Sequence, residues 1–200
     1  MHLFFNFCGN ENMQSLIKIS DSILSIERIL LMLLVSSILG LMILNVVTRA
    51  INISLYWVDE TAINLMIMAT FIGTNLIFRQ RKNFSVSIVL DILPAKYQHS
   101  LSMLVQLISL GFAGLLIIVT LKWFDPVTLI ASNFDLNVFF KTTYNSIYTE
   151  MTSTIGIRRF WFFLIMPWFS CALFIHCLAC IAEDLSDVNE DTQMPQQRSI

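Results

Sequence analysis

Charged residues are scarce in this chain of 200 residues, and their scarcity argues against a soluble fold. They make up 13% of the sequence, whereas an ordinary soluble domain has about a quarter. The charges that are present gather in short clusters between long uncharged runs, and 56% of all residues are hydrophobic. This distribution predicts an all-α integral membrane protein that forms one helix bundle. The net charge of −2 gives no indication of nucleic-acid binding.

The sequence also lacks the residue patterns of catalysis and of metal binding. Its four cysteines, Cys8, Cys171, Cys177 and Cys180, give no disulfide framework, and three of them can pack as small hydrophobic side chains in one apolar run. His176 lies next to Cys177 and one helical turn before Cys180, which resembles part of a metal site. Zinc needs four ligands, however, so a packed helix with a hydrogen-bonded histidine is favoured. There is no glycine-rich phosphate loop, no nucleophile elbow and no pair of carboxylates within a span. Neither an enzyme nor a cofactor is predicted.

Four apolar runs are long enough to cross a hydrocarbon core of about 30 Å. The predicted spans are residues 29–48, 61–78, 98–121 and 160–182. In the N-terminal segment 1–28, helical spacing from Ser15 onward predicts that the first helix begins before the membrane. We expect no cleavable signal peptide, and Met13 is an alternative start of the chain. The acidic tail 183–200 ends in a polar stretch that is expected to be disordered.

The connection between the second and third spans is predicted to form a short interfacial helix. Asn83, Ser87 and Asp91 recur at i, i+4 and i+8 among apolar residues, which gives one thin polar edge. A strand is the alternative, but it would leave an unpaired edge beside lipid. Pro94 ends this segment or begins the next helix.

A long connection of mixed polarity, residues 124–159, joins the third and fourth spans. Lys122 and Trp123 suit the membrane interface at the end of the third span. The Asp125-Pro126 pair then breaks the helix. Connections of this length are usually functional or irregular, and the sequence leaves both possibilities open.

The adjoining ends of the first two spans are predicted to meet through an ion pair. Asn45 and Arg49 lie one helical turn apart at the end of the first span, and Glu60 opens the second after a short turn. Each charge also suits the dipole of its own helix. The alternative is that Arg49 reaches lipid headgroups while Glu60 faces water. Glu60, Asn64 and Asn75 form a polar stripe that is expected to face protein rather than lipid.

The distribution of lysine and arginine favours cytoplasmic termini. With four spans, both termini and the loop between the second and third spans lie on one side, which holds seven basic residues against five on the other. The seven are Lys18, Arg28, Arg79, Arg81, Lys82, Lys96 and Arg198, and the five are Arg49, Lys122, Lys141, Arg158 and Arg159. Because four of the seven crowd one short loop, that side is assigned to the cytoplasm.

An ordered set of short motifs carries a family resemblance. The motifs are Asn45-Val-Val-Thr-Arg49, Trp57-Val-Asp-Glu60, Phe71-Ile-Gly73, Arg79 and Leu93-Pro94. In this order and spacing the chain resembles the small membrane subunit (DctQ-type) of tripartite ATP-independent periplasmic (TRAP) transporters. Asn83 stands where that family usually has His, and Ser87 where it often has Asp. The resemblance covers residues 25–125, and the last span matches by hydropathy alone.

The resemblance implies a subunit of a secondary transporter in the bacterial inner membrane that takes up organic anions, such as carboxylates, with Na⁺. A periplasmic receptor would capture the substrate and a large membrane subunit would carry it. The small subunit would act as a scaffold for the large one and as part of the receptor's docking surface. The structural or interaction residues implied are Arg49, Trp57, Glu60, Gly73, Arg79, Asn83, Ser87 and Pro94. The alternatives are an unrelated four-span assembly or regulatory protein, or a small self-associating channel.

Overall fold

The computed structural model describes the backbone of residues 2–80 and 95–193, and within them the side chains of residues 13–80, 98 and 101–184. Seven helices lie in this part of the chain. They are α1 (His2–Ala50), α2 (Tyr56–Arg79), α3 (Ala95–Phe124), α4 (Pro126–Ala131), α5 (Leu136–Thr143), α6 (Phe160–Phe163) and α7 (Ile165–Gln193). The fold is all-α, as predicted. The interfacial helix predicted around residues 83–91 and the polar end 194–200 lie outside the described residues.

Four helical stretches are long and apolar enough to cross a membrane, which confirms the predicted number of spans. They are Met13–Ala50, Tyr56–Arg79, Leu101–Ala131 and Phe160–Asp184. The first helix begins well ahead of its apolar run, as the spacing from Ser15 onward predicted. It ends where Asn52 adopts a left-handed φ of 59° and the N–H of Ile53 donates to the C=O of Thr48 at 2.8 Å. Asparagine tolerates this backbone conformation better than most residues do.

The fourth span is interrupted near its start. Leu164 separates the single turn of α6 from α7. Pro167 lies in the first turn of α7, where a proline is tolerated because N–H groups there have no intrahelical acceptor. The same proline cannot donate to the C=O of Phe163, so the helix does not run unbroken through this point.

The chain divides into two compact units, and the boundaries between them fall inside the long helices. The first unit comprises Met1–Ile26, Asn75–Leu115 and Cys171–Ile200, and the second comprises Glu27–Thr74 and Leu116–Ser170.

In the first unit, α7 buries small side chains together with polar ones. The small buried residues are Ala172, Cys177, Ala179, Cys180 and Ala182. Small residues let helix backbones approach closely in a membrane bundle. His176 is fully buried, and its Nδ1 lies 2.7 Å from the Oγ of Ser20 on α1. The hydrogen-bonded histidine favoured from the sequence is therefore what the structure contains.

In the second unit, an apolar cluster joins α1, α2 and α7. Its buried members are Leu34, Ile72 and Ile165. Phe71 and Phe169 pack beside it, with their ring centroids 5.0 Å apart. Leu34 is the one apolar residue of α1 that is buried among residues 13–50, so most of that helix contributes no core.

The connection between the third and fourth spans folds around an aromatic cluster, which consists of Phe124, Phe139, Ile147 and Tyr148. The rings of Phe139 and Tyr148 meet edge to face at 5.3 Å. The hydroxyl of Tyr148 donates to the C=O of Phe124 at 2.7 Å, at the last turn of α3. Burial, with the Asp125 carboxylate nearby, raises the pKa of Tyr148, so the phenol keeps the proton that it donates. The segment left open by the sequence is thus an ordered structure.

We expect Phe139→Ala to destabilise the second unit strongly, because Phe139 is 1% exposed at the centre of the aromatic cluster. The loss in free energy of unfolding should be about 3–5 kcal/mol, as for other buried phenylalanines. Phe140→Ala is the matched control, since this neighbour is 42% exposed and a surface change costs about 0.5 kcal/mol or less. Unfolding in mixed micelles titrated with dodecyl sulfate measures both. Equal losses for the two variants would contradict the assignment of the cluster as a core.

Candidate functional site

The site residues predicted from the sequence fall at two places in the described chain. Arg79 belongs to the first unit. Those in the second unit are Arg49, Trp57, Glu60 and Gly73. The remaining predicted residues are Asn83, Ser87 and Pro94, which lie outside the described residues.

Arg79, the last residue of α2, is bound by carboxylates from two other helices. Its side chain is 8% exposed. Nη1 and Nη2 donate to the two carboxylate oxygens of Glu183 on α7 at 3.0 and 2.6 Å, which is the bidentate geometry that guanidinium and carboxylate groups favour. Nη2 also donates to Oδ1 of Asp21 on α1 at 2.7 Å. One cation therefore joins α1, α2 and α7.

The next residue of α7 makes a second polar contact, to α3. Nε2 of Gln106 donates to Oδ2 of Asp184 at 2.6 Å, and the hydroxyl of Ser102 donates to the same oxygen at 3.4 Å. Gln106 and Asp184 are both buried. Because Glu183 and Asp184 are adjacent, two successive carboxylates of α7 bind two different helices. We call these residues, with Arg79 and Asp21, the polar clamp.

The sequence identified Arg79 but not the other members of the polar clamp. From the sequence alone, Arg79 is predicted to be one of the basic loop residues that determine the orientation of the chain in the membrane. Two signals point to its partners. Asp21 interrupts an apolar helical spacing between Ile17 and Leu24, and a carboxylate follows the last apolar span directly at Glu183. Neither signal specifies which residues meet.

In the second unit, Asp59 rather than Glu60 binds the end of α1. Nδ2 of Asn45 donates to Oδ1 of Asp59 at 2.7 Å, and Nη2 of Arg49 donates to Oδ2 at 3.4 Å. The predicted pair between Arg49 and Glu60 is wrong. Successive residues of a helix point about 100° apart, so a turn of α2 that presents Asp59 to α1 directs Glu60 elsewhere. Asn45 and Arg49 do face the same way, since both donate to the carboxylate of Asp59.

Glu60 binds the connection that precedes α6. Its two carboxylate oxygens accept the backbone N–H groups of Ser153 and Thr154, each at 2.8 Å. The hydroxyl of Thr154 also donates to Glu60. Ser153 and Thr154 are 93 and 94 positions after Glu60, so the sequence near Glu60 does not predict the contact.

The segment that Glu60 binds is a closed turn, residues 151–158. Met151 and Arg158 form an antiparallel bridge, and the N–H of Thr152 donates to the C=O of Ile157 at 2.8 Å. Gly156 has a φ of 71°, a conformation that glycine adopts without steric cost. We call this segment the Glu60 turn. A carboxylate that accepts two adjacent backbone N–H groups fixes both the position and the orientation of such a turn.

The other predicted residues of α2 have simpler surroundings. Trp57 is 40% exposed. A Cβ added at Gly73 would meet no atom within 4 Å, so no described element packs closely against it. Asn75 is fully buried, which places this end of the predicted polar stripe against protein. Asn64 is half-buried and donates to the C=O of Glu60 in its own helix at 2.9 Å.

Most of the chain matches a known family. The family model described as "Tripartite ATP-independent periplasmic transporters, DctQ component" matches residues 38–187. This range contains Arg49, Glu60, Arg79 and the whole connection 124–159. No curated protein and no solved structure matches the chain.

Replacing Arg79 tests the polar clamp. Arg79→Ala leaves the carboxylate of Glu183 without its bidentate partner, and we expect a loss of roughly 2–3 kcal/mol in the free energy of unfolding. Arg79→Lys should recover only part of this loss, because an ammonium group cannot bind both oxygens as the planar guanidinium does. Mixed-micelle unfolding measures both variants.

The control for this prediction is Arg49→Ala. The ion pair between Arg49 and Asp59 has side chains that are 65% and 52% exposed, and exposed pairs contribute no more than about 1 kcal/mol. A loss at Arg79 no larger than the loss at Arg49 would show that the polar clamp does not hold the helices together.

Proposed function

The chain belongs to the DctQ component family of TRAP transporters, and from this membership we propose that it is the small membrane subunit of a secondary transporter that takes up organic anions, carboxylates above all, together with Na⁺. It is a component of a transporter rather than an enzyme. Its work is to brace the large membrane subunit and to supply part of the surface on which the periplasmic receptor docks.

The observation that carries the scaffold role is the exposed surface of α1. Large apolar side chains on several sides of this helix are more than half exposed, among them Leu33, Leu39 and Val46 at 60, 62 and 70%. A bundle helix normally buries one apolar stripe against its neighbours. The exposed apolar surface of α1 is wide enough for one part to contact a second membrane protein while the remainder contacts lipid.

The polar groups of the described spans support the same role. Two buried polar groups that a transport pathway could use are bound inside the subunit: the guanidinium of Arg79 by Asp21 and Glu183, and the amide of Gln106 by Asp184. A helix bundle whose charges bind one another braces its own helices. We therefore assign the substrate and the coupling ion to the large subunit.

The Glu60 turn supports a part in receptor docking. It presents an ordered loop at the start of α2, on the side that the distribution of lysine and arginine assigns to the periplasm. An ordered loop on a membrane protein binds a soluble partner at lower entropic cost than a mobile one.

The proposed orientation, with both termini in the cytoplasm of a bacterial inner membrane, is tested by single cysteines. The background carries Cys8→Ser and Cys171→Ser, so that the native cysteines left are Cys177 and Cys180, which are buried. In this background we expect an impermeant thiol reagent to label Ser54→Cys and Ser146→Cys from outside intact cells. Lys82→Cys and Asp187→Cys should react only after the cells are opened. Labelling of position 82 in intact cells would contradict the orientation.

Reconstitution tests the function. Liposomes with the small subunit, the large membrane subunit and the receptor should concentrate one member of a panel of radiolabelled dicarboxylates and sugar acids when an inward Na⁺ gradient is applied. Liposomes with the small subunit and receptor alone should concentrate none. Uptake by the small subunit alone would contradict the scaffold role. Failure of the small and large subunits to purify together would favour the unrelated four-span assembly protein.

A further inference from the structure

The segment α4–α5, residues 126–143, has apolar side chains on two surfaces. Leu129, Leu136 and Phe139 pack into the aromatic cluster. A second set faces outward and consists of Val127, Ile130, Phe134 and Val138, which are 76, 63, 67 and 48% exposed. We call this second set the outer apolar face. Water beside four large apolar side chains is unfavourable, so a set of this kind within twelve residues indicates an interaction surface.

The backbone of this segment is capped by its own polar groups. Oδ1 of Asp125 accepts the N–H of Thr128 at 3.2 Å at the start of α4. Oδ1 of Asp135 accepts the N–H groups of Asn137 and Val138 at 2.9 and 3.3 Å at the start of α5. Without such caps these N–H groups would need water or another partner. Their capping removes much of the cost of placing the segment where water is scarce.

The same segment is fastened to the ends of two membrane spans. Asp125 alone separates it from α3. Asn145, just after α5, donates through Nδ2 to the C=O of Trp123 at 2.6 Å, and Tyr148 donates to that of Phe124. Phe160, the first residue of the fourth span, packs on the aromatic cluster. These contacts hold α4–α5 beside the last residues of α3 and the first residue of α6.

We propose that the segment α4–α5 is a membrane-interface anchor whose outer apolar face lies among the lipid acyl chains. The occupant is the lipid bilayer, because residues that come just before the outer apolar face, at the end of the membrane-spanning helix α3, are also exposed and apolar. Leu121 and Trp123 are 54 and 37% exposed and come just before Val127. Asp135 and Lys141 are the charged residues within 126–143. Lys141 lies one turn after Val138 on the same side of α5, where a long lysine side chain can reach the lipid headgroups. Short amphipathic helices in such a position bind the interface through their apolar side. The proposal depends only on α3 crossing a membrane, and not on the transported substrate.

Spin labels test the proposal on the full chain in nanodiscs of phosphatidylethanolamine and phosphatidylglycerol. The background is Cys8→Ser with Cys171→Ser, and it keeps Cys177 and Cys180, which are buried. Labels are placed at Ile130→Cys and Phe134→Cys in the outer apolar face.

The matched controls are Asn137→Cys and Ser146→Cys, exposed polar positions of the same connection. For each label, electron paramagnetic resonance gives the ratio of collisions with oxygen, which dissolves in lipid, to collisions with a water-soluble nickel chelate. We expect this ratio to be several-fold higher at positions 130 and 134 than at the controls.

Two results would overturn the proposal. The first is a ratio at positions 130 and 134 equal to that at the controls, which would place the outer apolar face in water. The second is a low ratio without the receptor together with loss of nickel collisions once purified receptor is added, which would show a protein-docking surface.

A second measurement avoids cysteine. Brominated lipids should quench the fluorescence that Phe134→Trp adds to that of the native tryptophans, but not the fluorescence that Asn137→Trp adds. Equal quenching of the two would also overturn the proposal.

Discussion

A charged group at the edge of the hydrocarbon has little water to bind, so it must find its partners within the protein. Arg79 is one group on which this requirement falls, since it is charged and its side chain is 8% exposed. Asp21 and Glu183 meet the requirement from two other helices. The packing of α1, α2 and α7 in the first unit therefore depends on the position of one guanidinium. Other buried polar groups of this unit obey the same rule, as Ser20 and His176 do.

The long elements of the fold were predictable because hydropathy is a property of consecutive residues. An uninterrupted apolar run has only one way to satisfy its backbone in lipid, which is to form a helix, and four such runs gave four spans. The break at Asp125-Pro126 was equally local, because the proline cannot extend α3 and the aspartate caps α4. The early start of α1 followed from helical spacing alone. The order of short motifs around Arg49, Glu60 and Arg79 was sufficient to identify the family.

Contacts between distant residues were not predictable in this way. Asp59 and Glu60 are neighbours with the same charge, and only the rotation of α2 decides which of them meets Arg49. The partners of Glu60 lie 93 and 94 residues away in a turn that has no apolar pattern. The aromatic cluster draws its members from α3, α5 and the residues that follow α5, at spacings that match neither a helix nor a strand. For the candidate site, the sequence therefore singled out Arg79 and Glu60 but did not predict what each one binds.

The adjacency of Glu183 and Asp184 has a mechanical consequence for α7. A helix held by a single contact can swivel about its axis, but one held by two contacts about 100° apart cannot swivel without breaking one of them. Glu183 binds Arg79 of α2, and Asp184 binds Gln106 of α3. These two consecutive side chains therefore prevent α7 from rotating about its axis within the first unit. The register of α7 is fixed by the same pair. Inserting one residue between Cys177 and Glu183 would turn Glu183 toward α3 and leave neither carboxylate opposite Arg79, although the composition and hydropathy of the span would hardly change.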